Sequence, residues 1–203
     1  LECGKHVLVE KPMTLDVSEA YELVELARQR NLILSVGHIF RFNNALKEVR
    51  RLIQEEFLGE IFYLRLQWTN LQHVEGRDIV TDLAPHPFDI LNFLLDMWPT
   101  KITCKAKAYQ RERLEEIAYI IAEFENNILA HIELSWLHPR KTREVTVVGS
   151  DRTVRIDAST QDVEVLEKDR SQKLDVERNN TIEAELRHFI ESIHNSGLNN
   201  GFT

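Results

Sequence analysis

This sequence of 203 residues has only two cysteines and fewer basic than acidic side chains, with 25 Lys and Arg against 33 Asp and Glu, and each shortage argues against a class of protein. The two cysteines, Cys3 and Cys104, are too few and too far apart for a disulfide framework or a cysteine-based zinc site, so we expect reduced structural thiols. A formal net charge of −8 and a pI near 5.5 argue against a nucleic-acid or anionic-membrane surface, which needs clustered lysine and arginine. A small molecule or a protein is the expected partner.

Long apolar runs are also missing. No stretch approaches the roughly 20 apolar residues of a membrane-spanning helix, and no charged-then-apolar leader follows Leu1. We therefore expect a cytoplasmic protein that has no membrane partner. Because 43% of the residues are hydrophobic, the chain can bury a core of one or two domains.

The first 40 residues predict a strand, a helix and a second strand. HVLVE at residues 6–10 is a short apolar run that Pro12 ends, because proline cannot donate to a strand ladder. Residues 14–30 have helical spacing, and LILSVGH at 32–38 is again apolar. A crossover of this kind implies parallel strands. One face of this predicted helix carries Val17, Ala20, Tyr21, Val24 and Ala27.

From residue 41 onward, the sequence predicts successive strands joined by short turns. Residues 61–69 alternate apolar and polar side chains, and Asn126-Asn127 is typical of a turn between two further strands. The predicted fold is therefore α+β, with a large, mostly antiparallel open sheet after the βαβ unit. Helices are predicted at 45–57, about 85–97 and about 181–194. The last helix has Ile182, Leu186, Phe189, Ile190 and Ile193 on one face.

The two faces of the predicted sheet differ. Helices 45–57 and 85–97 cover one face. Its other face mixes polar and apolar side chains, which favours sheet-to-sheet contact in a dimer, although a solvated antiparallel face explains it equally well. The polar and aromatic residues on that face are Tyr63, His131, Glu133 and Ser135.

The stretch DLAPHPFDI at residues 82–90 places charged groups around two prolines at the start of a helix. Pro87 cannot lie deep inside a helix, so the helix is predicted to start near Ala84 or Pro85. His86 then lies in the first turn and Asp82 in the turn before it. The positive end of a helix favours a carboxylate and a neutral imidazole, which is the pairing that a general base needs.

A structural interpretation of the same stretch stays open, in which Asp82 caps the helix and His86 is a packed or surface histidine. Asp89 either shares the face of Asp82 and His86 or is a favourable charge near the helix N-terminus. A metal site would need a second histidine beside them, and we expect none.

Glu10-Lys11-Pro12 comes at the carboxyl end of the first predicted strand. In open α/β sheets, ligands bind beyond the carboxyl ends of the strands, so Lys11 is placed to meet a ligand. The alternative is a lysine that simply extends from the sheet edge into solvent.

Three segments together resemble the Gfo/Idh/MocA family of NAD(P)-dependent sugar oxidoreductases. They are GKHVLVEKP at 4–12, VGHIFRFN at 36–43 and DLAPHPFDILNFLL at 82–95. The resemblance covers almost the whole chain. It implies that residues 1–40 are the C-terminal remnant of a dinucleotide-binding Rossmann domain, and that 41–203 form an α/β domain for substrate binding and dimerisation.

The resemblance implies a catalytic set of Lys11, Asp82 and His86 for hydride transfer between a sugar carbon and C4 of NAD or NADP. His86 would take or give the hydroxyl proton, Lys11 would steady the developing oxyanion, and Asp82 would position the group. DLAPH, preceded by Gly76-Arg77-Asp78, is most similar to the branch that acts on nucleotide-linked sugars. Glu10, Lys11 and Pro12 are the implied cofactor-binding residues, and His38, Arg41 and Asp89 the implied substrate-binding residues.

The glycine pattern of the family's nucleotide-binding half is missing. That half begins with a G-x-G-x-x-G turn, whereas this sequence has seven glycines and no such cluster. We therefore expect a C-terminal piece of the family fold that binds NAD(P) weakly alone and forms a homodimer or higher homo-oligomer through the open sheet face. The alternative is a non-catalytic sugar-sensing or dimerisation protein of the same fold.

Overall fold

The computed structural model describes residues 1–72 and 75–196, which fall into two compact units. The first unit contains residues 1–42 and the chain from Asn180 onward, and the second contains Asn43–Asn179. The strands are β1 (Val7–Val9), β2 (Leu34–Val36), β3 (Ile61–Leu71), β4 (Lys101–Lys107), β5 (Ile117–Glu123), β6 (Leu129–Ser135), β7 (Leu137–Gly149), β8 (Thr153–Asp157), β9 (Asp162–Glu167) and β10 (Arg170–Leu174). The α-helices are α1 (Val17–Arg30), α2 (Asn44–Gln54), α3 (Ile79–Leu83), α4 (Pro85–Leu95) and α5 (Thr181–Ser196).

The first unit contains the βαβ arrangement that the sequence predicts. β1 and β2 pair in parallel, with Val7 opposite Leu34, and α1 forms the crossover between them. The helix begins after Asp16, whose carboxylate accepts the N–H of Ser18 at 2.7 Å and so caps the first turn. It ends at Asn31, which adopts the left-handed conformation with φ of 53°.

Most of the apolar face of α1 is exposed. Ala27 is buried, but Val17, Tyr21 and Val24 are exposed, with 73% of Tyr21 accessible. The predicted helical spacing is right, and the structure leaves most of this apolar face uncovered. A sheet of two strands is roughly 5 Å wide between strand axes, which is too narrow to cover a whole helix face.

The predicted apolar face of α5 is also largely exposed. Ile182, Leu186 and Ile190 are open to solvent, whereas Glu185 is buried. The helix packs beside the 3-10 turn Ile39–Phe42, which belongs to the same unit. None of the helices in the described part of the chain is both long and apolar enough to cross a membrane.

The second unit is built on an eight-stranded sheet with the order β10-β9-β8-β7-β3-β6-β5-β4. β3 pairs in parallel with β6 and antiparallel with β7, and the other neighbours are antiparallel, so the predicted open, mostly antiparallel sheet is confirmed. Alternation along β3 gives the sheet an inner and an outer face. Leu64, Leu66 and Trp68 are buried on the inner face, and Tyr63, Arg65 and Gln67 lie on the outer face.

Helices α2 and α4 pack together on the core side of this unit. Asn43 starts α2 by accepting the N–H of Leu46 at 3.2 Å, and its buried amide donates to the carbonyl of Ala158 at 3.0 Å. The helix ends at Gln54, earlier than predicted, because Glu56 turns the chain into the left-handed region with φ of 55°. Gly59 follows with φ of 73°, and a Cβ at that position would collide with the Ser150 hydroxyl.

Candidate active site

Asp82, His86 and Asp89 lie along one side of a nearly continuous helical path. α3 carries Asp82, α4 carries His86 and Asp89, and the linking residue Ala84 keeps right-handed backbone angles of −61° and −29°. Residues four and seven positions apart on such a backbone share a face. The side chain of Asp82 is 18% exposed and His86 is partly buried, whereas Asp89 is only 4% exposed. The open part of this face is therefore formed by Asp82 and His86.

The helix start agrees with the prolines, but Asp82 does not precede the helical path as predicted. α4 begins at Pro85, and the short α3 lies directly before it. Asp78 caps α3, because its carboxylate accepts the N–H of Thr81 at 2.9 Å and its hydroxyl at 2.7 Å. Burial raises the pKa of Asp78, but these donors outweigh burial and lower it. The carboxylate that neutralises the positive N-terminal end of α3 is therefore Asp78, one turn before Asp82.

Two arginines give Asp82 positive surroundings. The Nη1 atom of Arg77 lies 3.9 Å from Oδ1 of Asp82, although the Arg77 side chain is 57% exposed. Arg143 on β7 is partly buried, and its charge interacts with that of Asp82. Burial lowers the pKa of Arg143, and the negative charge of Asp82 opposes this effect. Arg143 is therefore the less solvent-screened of the two cations near Asp82.

The sequence reasoning missed Arg143, although β7 carries a signal for it. Along TREVTVV, Arg143 is in phase with Val145 and Val147, which are both buried on the inner face. An arginine in phase with the buried residues of an alternating strand must direct a charge toward the core side. Such a position favours an ion-pair partner there.

The loop before β5 fixes the backbone of Arg77. Glu116 is buried, and its Oε2 accepts the backbone N–H groups of residues 109–111 at 2.6 to 3.3 Å. Burial raises the pKa of Glu116, but these three donors prevail and lower it. Arg111, which stacks 5.4 Å above the Trp136 ring, donates to the carbonyl of Arg77 at 2.8 Å.

The other predicted site residues follow the carboxyl ends of β1 and β2. Glu10 and Lys11 come after β1, and Gly37 and His38 come after β2. The N–H of Gly37 donates to the carbonyl of Val9 at 2.8 Å, and a Cβ on Gly37 would lie 3.3 Å from the Glu10 carboxylate. The two segments are therefore in contact, at the sheet edge where ligands of open α/β sheets bind.

Pro12 and Arg41 belong to the same unit. Pro12 follows Lys11 through a cis peptide bond, and Arg41 lies in the 3-10 turn, where its N–H donates to the carbonyl of His38 at 3.0 Å. A further acidic group, Glu185 of α5, is 6% exposed. Its Oε1 is buried and makes no hydrogen bond to the described residues. Burial raises the pKa of Glu185, and the charge of Glu10 raises it further.

The predicted site residues divide between the two units. Glu10, Lys11, Pro12, His38 and Arg41 belong to the first unit, and Asp82, His86 and Asp89 belong to the second. Each group is brought together within its own unit, so the joint catalytic set of Lys11, Asp82 and His86 stays a prediction. Within residues 1–72 and 75–196, no three histidine, cysteine or acidic side chains are placed to hold a metal ion.

The residues after β1 and β2 suit only part of a nicotinamide dinucleotide. Lys11 supplies a cation beside this sheet edge, and Gly37 lies close to Glu10, so the assignment of these residues to the reacting end of the cofactor stays a prediction. The pyrophosphate requires a glycine-rich turn at a helix N-terminus. Of the seven glycines in the sequence, Gly4 and Gly37 flank the β1 and β2 unit and form no such turn.

Comparisons with known proteins place the chain in a family. The sequence profile described as the GFO/IDH/MocA C-terminal domain matches residues 46–155. A second profile, described as an oxidoreductase family with an NAD-binding Rossmann fold, matches residues 1–38.

Similar proteins act on sugars and related alcohols. UDP-N-acetylglucosamine 3-dehydrogenase of Acidithiobacillus ferrooxidans is 24% identical over 207 residues, covering 95% of this chain and 64% of that enzyme, and its structure gives a TM-score of 0.84. Inositol 2-dehydrogenase of Corynebacterium glutamicum is 28% identical over 142 residues, covering 66% and 42% of the two chains.

A solved structure with bound cofactor shows the same fold. The inositol dehydrogenase homologue from Azotobacter vinelandii, in complex with NADH and myo-inositol, has a TM-score of 0.87 at 19% identity, covering 97% of this chain and 62% of that one. The present chain thus spans less than two thirds of the length of these relatives. Because the C-terminal profile alone matches more than half of the residues, the chain belongs to the Gfo/Idh/MocA oxidoreductase family.

Proposed function

We propose that the protein is a dehydrogenase that transfers a hydride between NAD or NADP and a hydroxyl-bearing carbon of a sugar or a nucleotide-linked sugar. The observation that supports this most directly is the shared helical face of Asp82 and His86, with the Arg77 guanidinium 3.9 Å from the carboxylate. The relatives named for UDP-N-acetylglucosamine and inositol support the substrate class. The DLAPH sequence favours the nucleotide-linked sugar.

Each proposed catalytic residue has a separate role. The nicotinamide, when bound, supplies the acceptor or donor of the hydride. His86 takes the hydroxyl proton during oxidation and returns it during reduction, because removing hydride from an alcohol requires its proton to leave. Asp82 orients His86 from one helical turn away, and Lys11 stabilises the negative charge that develops on the substrate oxygen.

The remaining proposed residues are divided between the cofactor and the substrate. Glu10, Lys11 and Pro12 are assigned to the cofactor, and His38, Arg41 and Asp89 to the substrate. Asp89 is buried, so in this proposal it contacts only a part of the substrate that reaches deep against α4.

We further propose a cytoplasmic homodimer or higher homo-oligomer. Both cysteines are free and exposed, which suits a reducing compartment, and the net charge of −8 disfavours nucleic acid as a partner. The outer face of the eight-stranded sheet exposes Tyr63, Tyr119 and Leu129, so a second copy of this face is the proposed occupant.

Replacing His86 with asparagine tests the proposed chemistry. Purified full-length gene product is assayed for reduction of NAD⁺ and NADP⁺ with UDP-N-acetylglucosamine and with myo-inositol. His86→Asn should lower turnover by about 10²- to 10⁴-fold, the usual contribution of general acid–base catalysis, with an unchanged melting temperature. The matched control is His194→Asn, which changes an exposed histidine of α5.

Two results separate the alternatives. Unchanged turnover in His86→Asn would contradict the assigned proton transfer. If the protein binds sugars but reduces neither cofactor with any of them, the non-catalytic sugar-sensing function is the correct one.

A further inference from the structure

Arg77 has a main chain that is held on both sides. Its carbonyl accepts a hydrogen bond from Nη2 of Arg111 at 2.8 Å. The next residue, Asp78, caps α3, and the N–H of Ile79 donates to the carbonyl of Glu115 at 3.0 Å. The backbone around Arg77 is therefore tied both to the loop before β5 and to the start of α3.

Arg111, which anchors Arg77, is itself connected to the core of the second unit. The buried carboxylate of Glu116 accepts the backbone N–H of Arg111 at 3.3 Å, and the carbonyl of Glu116 accepts the N–H of Trp136 at 2.9 Å. The Arg111 guanidinium lies 5.4 Å from the centre of the Trp136 ring, and Trp136 is only 1% exposed. Because Trp136 is fixed in the core, these contacts give Arg77 a rigid base.

The guanidinium of Arg77, by contrast, is not used inside the protein. Its Nη1 lies 3.9 Å from Oδ1 of Asp82, which is longer than a hydrogen bond, and the side chain is 57% exposed. Within residues 1–72 and 75–196, no hydrogen bond joins this guanidinium to another group. The planar guanidinium has donors in the geometry that matches two oxygens of a phosphate. An anchored arginine with open donors beside Asp82 is therefore suited to bind an anionic group of a ligand.

The spacing along the helical path lets one ligand reach both Arg77 and His86. Asp82 and His86 are four residues apart, which is about 6 Å along a helix axis, and Arg77 contacts Asp82. In a nucleotide-linked sugar, a phosphate is joined directly to the sugar ring. A chain with a net charge of −8 also needs a local cation to attract such a ligand, whereas an uncharged sugar gains much less from a guanidinium.

We propose that Arg77 binds a phosphate of a nucleotide-linked sugar and thereby selects such substrates over uncharged sugars. Arg111 is the positioning residue, which acts by holding the main chain of Arg77. The inference rests on the proposed function and narrows its substrate class. The phosphates of the cofactor have the same chemistry, so the experiment must separate the two ligands.

Calorimetric titration of the full-length gene product measures binding without any assay of activity. The ligands are UDP-N-acetylglucosamine and NADH. Arg77→Met should weaken binding of UDP-N-acetylglucosamine by about 10- to 100-fold, the loss expected for hydrogen bonds to a charged group, and should leave NADH binding and the melting temperature unchanged. Arg77→Lys should recover part of the loss, because it keeps the charge but not the paired donors. The matched control is Arg178→Met, which changes a 64% exposed arginine of the same unit and should have no effect on either ligand.

A double-mutant cycle tests the role of Arg111. Arg111→Met should weaken binding of UDP-N-acetylglucosamine by a smaller factor than Arg77→Met does. In the double variant, the loss should equal that of Arg77→Met alone, because Arg111 acts through Arg77. If Arg111→Met lowers only the melting temperature, or if its effect on binding adds to that of Arg77→Met, Arg111 is not a positioning residue for Arg77.

The outcomes separate this inference from the proposed function. Equal affinity of Arg77→Met and the unchanged protein for UDP-N-acetylglucosamine, or no binding of this ligand by the unchanged protein, would overturn the inference. A loss of NADH binding in Arg77→Met would assign the arginine to the cofactor and would overturn it as well. Where turnover is observed, Arg77→Met should raise the KM for UDP-N-acetylglucosamine relative to the KM for myo-inositol. If binding depends on Arg77 but the protein oxidises no sugar, the phosphate subsite is supported and the proposed function alone has failed.

Discussion

At the scale of single residues, the sequence predicts the charged residues of the candidate site but not which acidic side chains are buried. Lys11, Asp82 and His86 are predicted from the sequence because each stands in a recognisable segment that contains a proline. Glu185 and Glu116 are not, because the pattern of α5 or of the 109–116 loop does not say which acidic residue becomes buried. That outcome depends on which neighbouring element packs against it, and it is decided by tertiary structure.

Glu185 provides a prediction at this scale. Its folded-state pKa is raised by burial and by Glu10, so the folded chain holds a proton that the unfolded chain releases at lower pH. Stability therefore falls as pH rises from about the unfolded value of 4.5 through the raised pKa. Glu185→Gln removes this loss and should stabilise the chain by on the order of 1 kcal/mol at neutral pH, with the gain disappearing in acid.

Chemical denaturation at several pH values measures the effect of Glu185→Gln. Glu191→Gln, at an exposed position of the same helix, is the control and should change little at any pH. A Glu185→Gln chain that is less stable than the original at neutral pH would show that the ionised carboxylate has a favourable partner in solution.

At the scale of elements, periodicity predicted where helices and strands lie better than what covers them. The stripe on α1 and the stripe on α5 were both recognised, and both are largely exposed. Spacing reports that one side is apolar, but burial needs a partner surface of matching width. The five-residue α3 was missed because it is too short for any period to be visible, and its cap, Asp78, was the available signal.

The outer face of the eight-stranded sheet is the surface through which we predict that two copies of the chain pair. Its exposed apolar residues include Tyr63, Tyr119 and Leu129, and the Tyr119 and His131 rings stack with centroids 6.3 Å apart. If two copies pair through this face, each should bury about 800 Å², and a charge within the buried area should be strongly unfavourable. Leu129→Lys should therefore shift the chain from dimer to monomer in sedimentation equilibrium.

Leu186→Lys is the matched control for the dimer, because Leu186 on α5 is 47% exposed and Leu129 is 48% exposed. The same substitution on α5 should leave the dimer intact. A Leu129→Lys chain that stays dimeric, or dissociation by Leu186→Lys alone, would move the interface away from the sheet.

For the whole molecule, the two units match different domains of the family. The second unit includes residues 46–155, which match the family's C-terminal domain, together with Asp82 and His86. The part that matches the NAD-binding Rossmann profile is residues 1–38, whose parallel sheet has two strands. The resemblance predicts a boundary after residue 40, with 41–203 as one domain, and this boundary stays a prediction.

This division predicts weak binding of the dinucleotide by the 203-residue chain. Lys11 and its neighbours suit the nicotinamide end, but the sequence contains no G-x-G-x-x-G turn for the pyrophosphate, and backbone donors at such a turn are the usual source of affinity for the dinucleotide phosphates. Titration with NADH and NADPH, followed by their fluorescence, should show no saturation in the micromolar range. The Azotobacter vinelandii homologue, whose structure holds NADH, is the positive control. Saturation at micromolar concentrations would mean that this chain holds the phosphates by another set of donors, of which the backbone after β2 is the first to test.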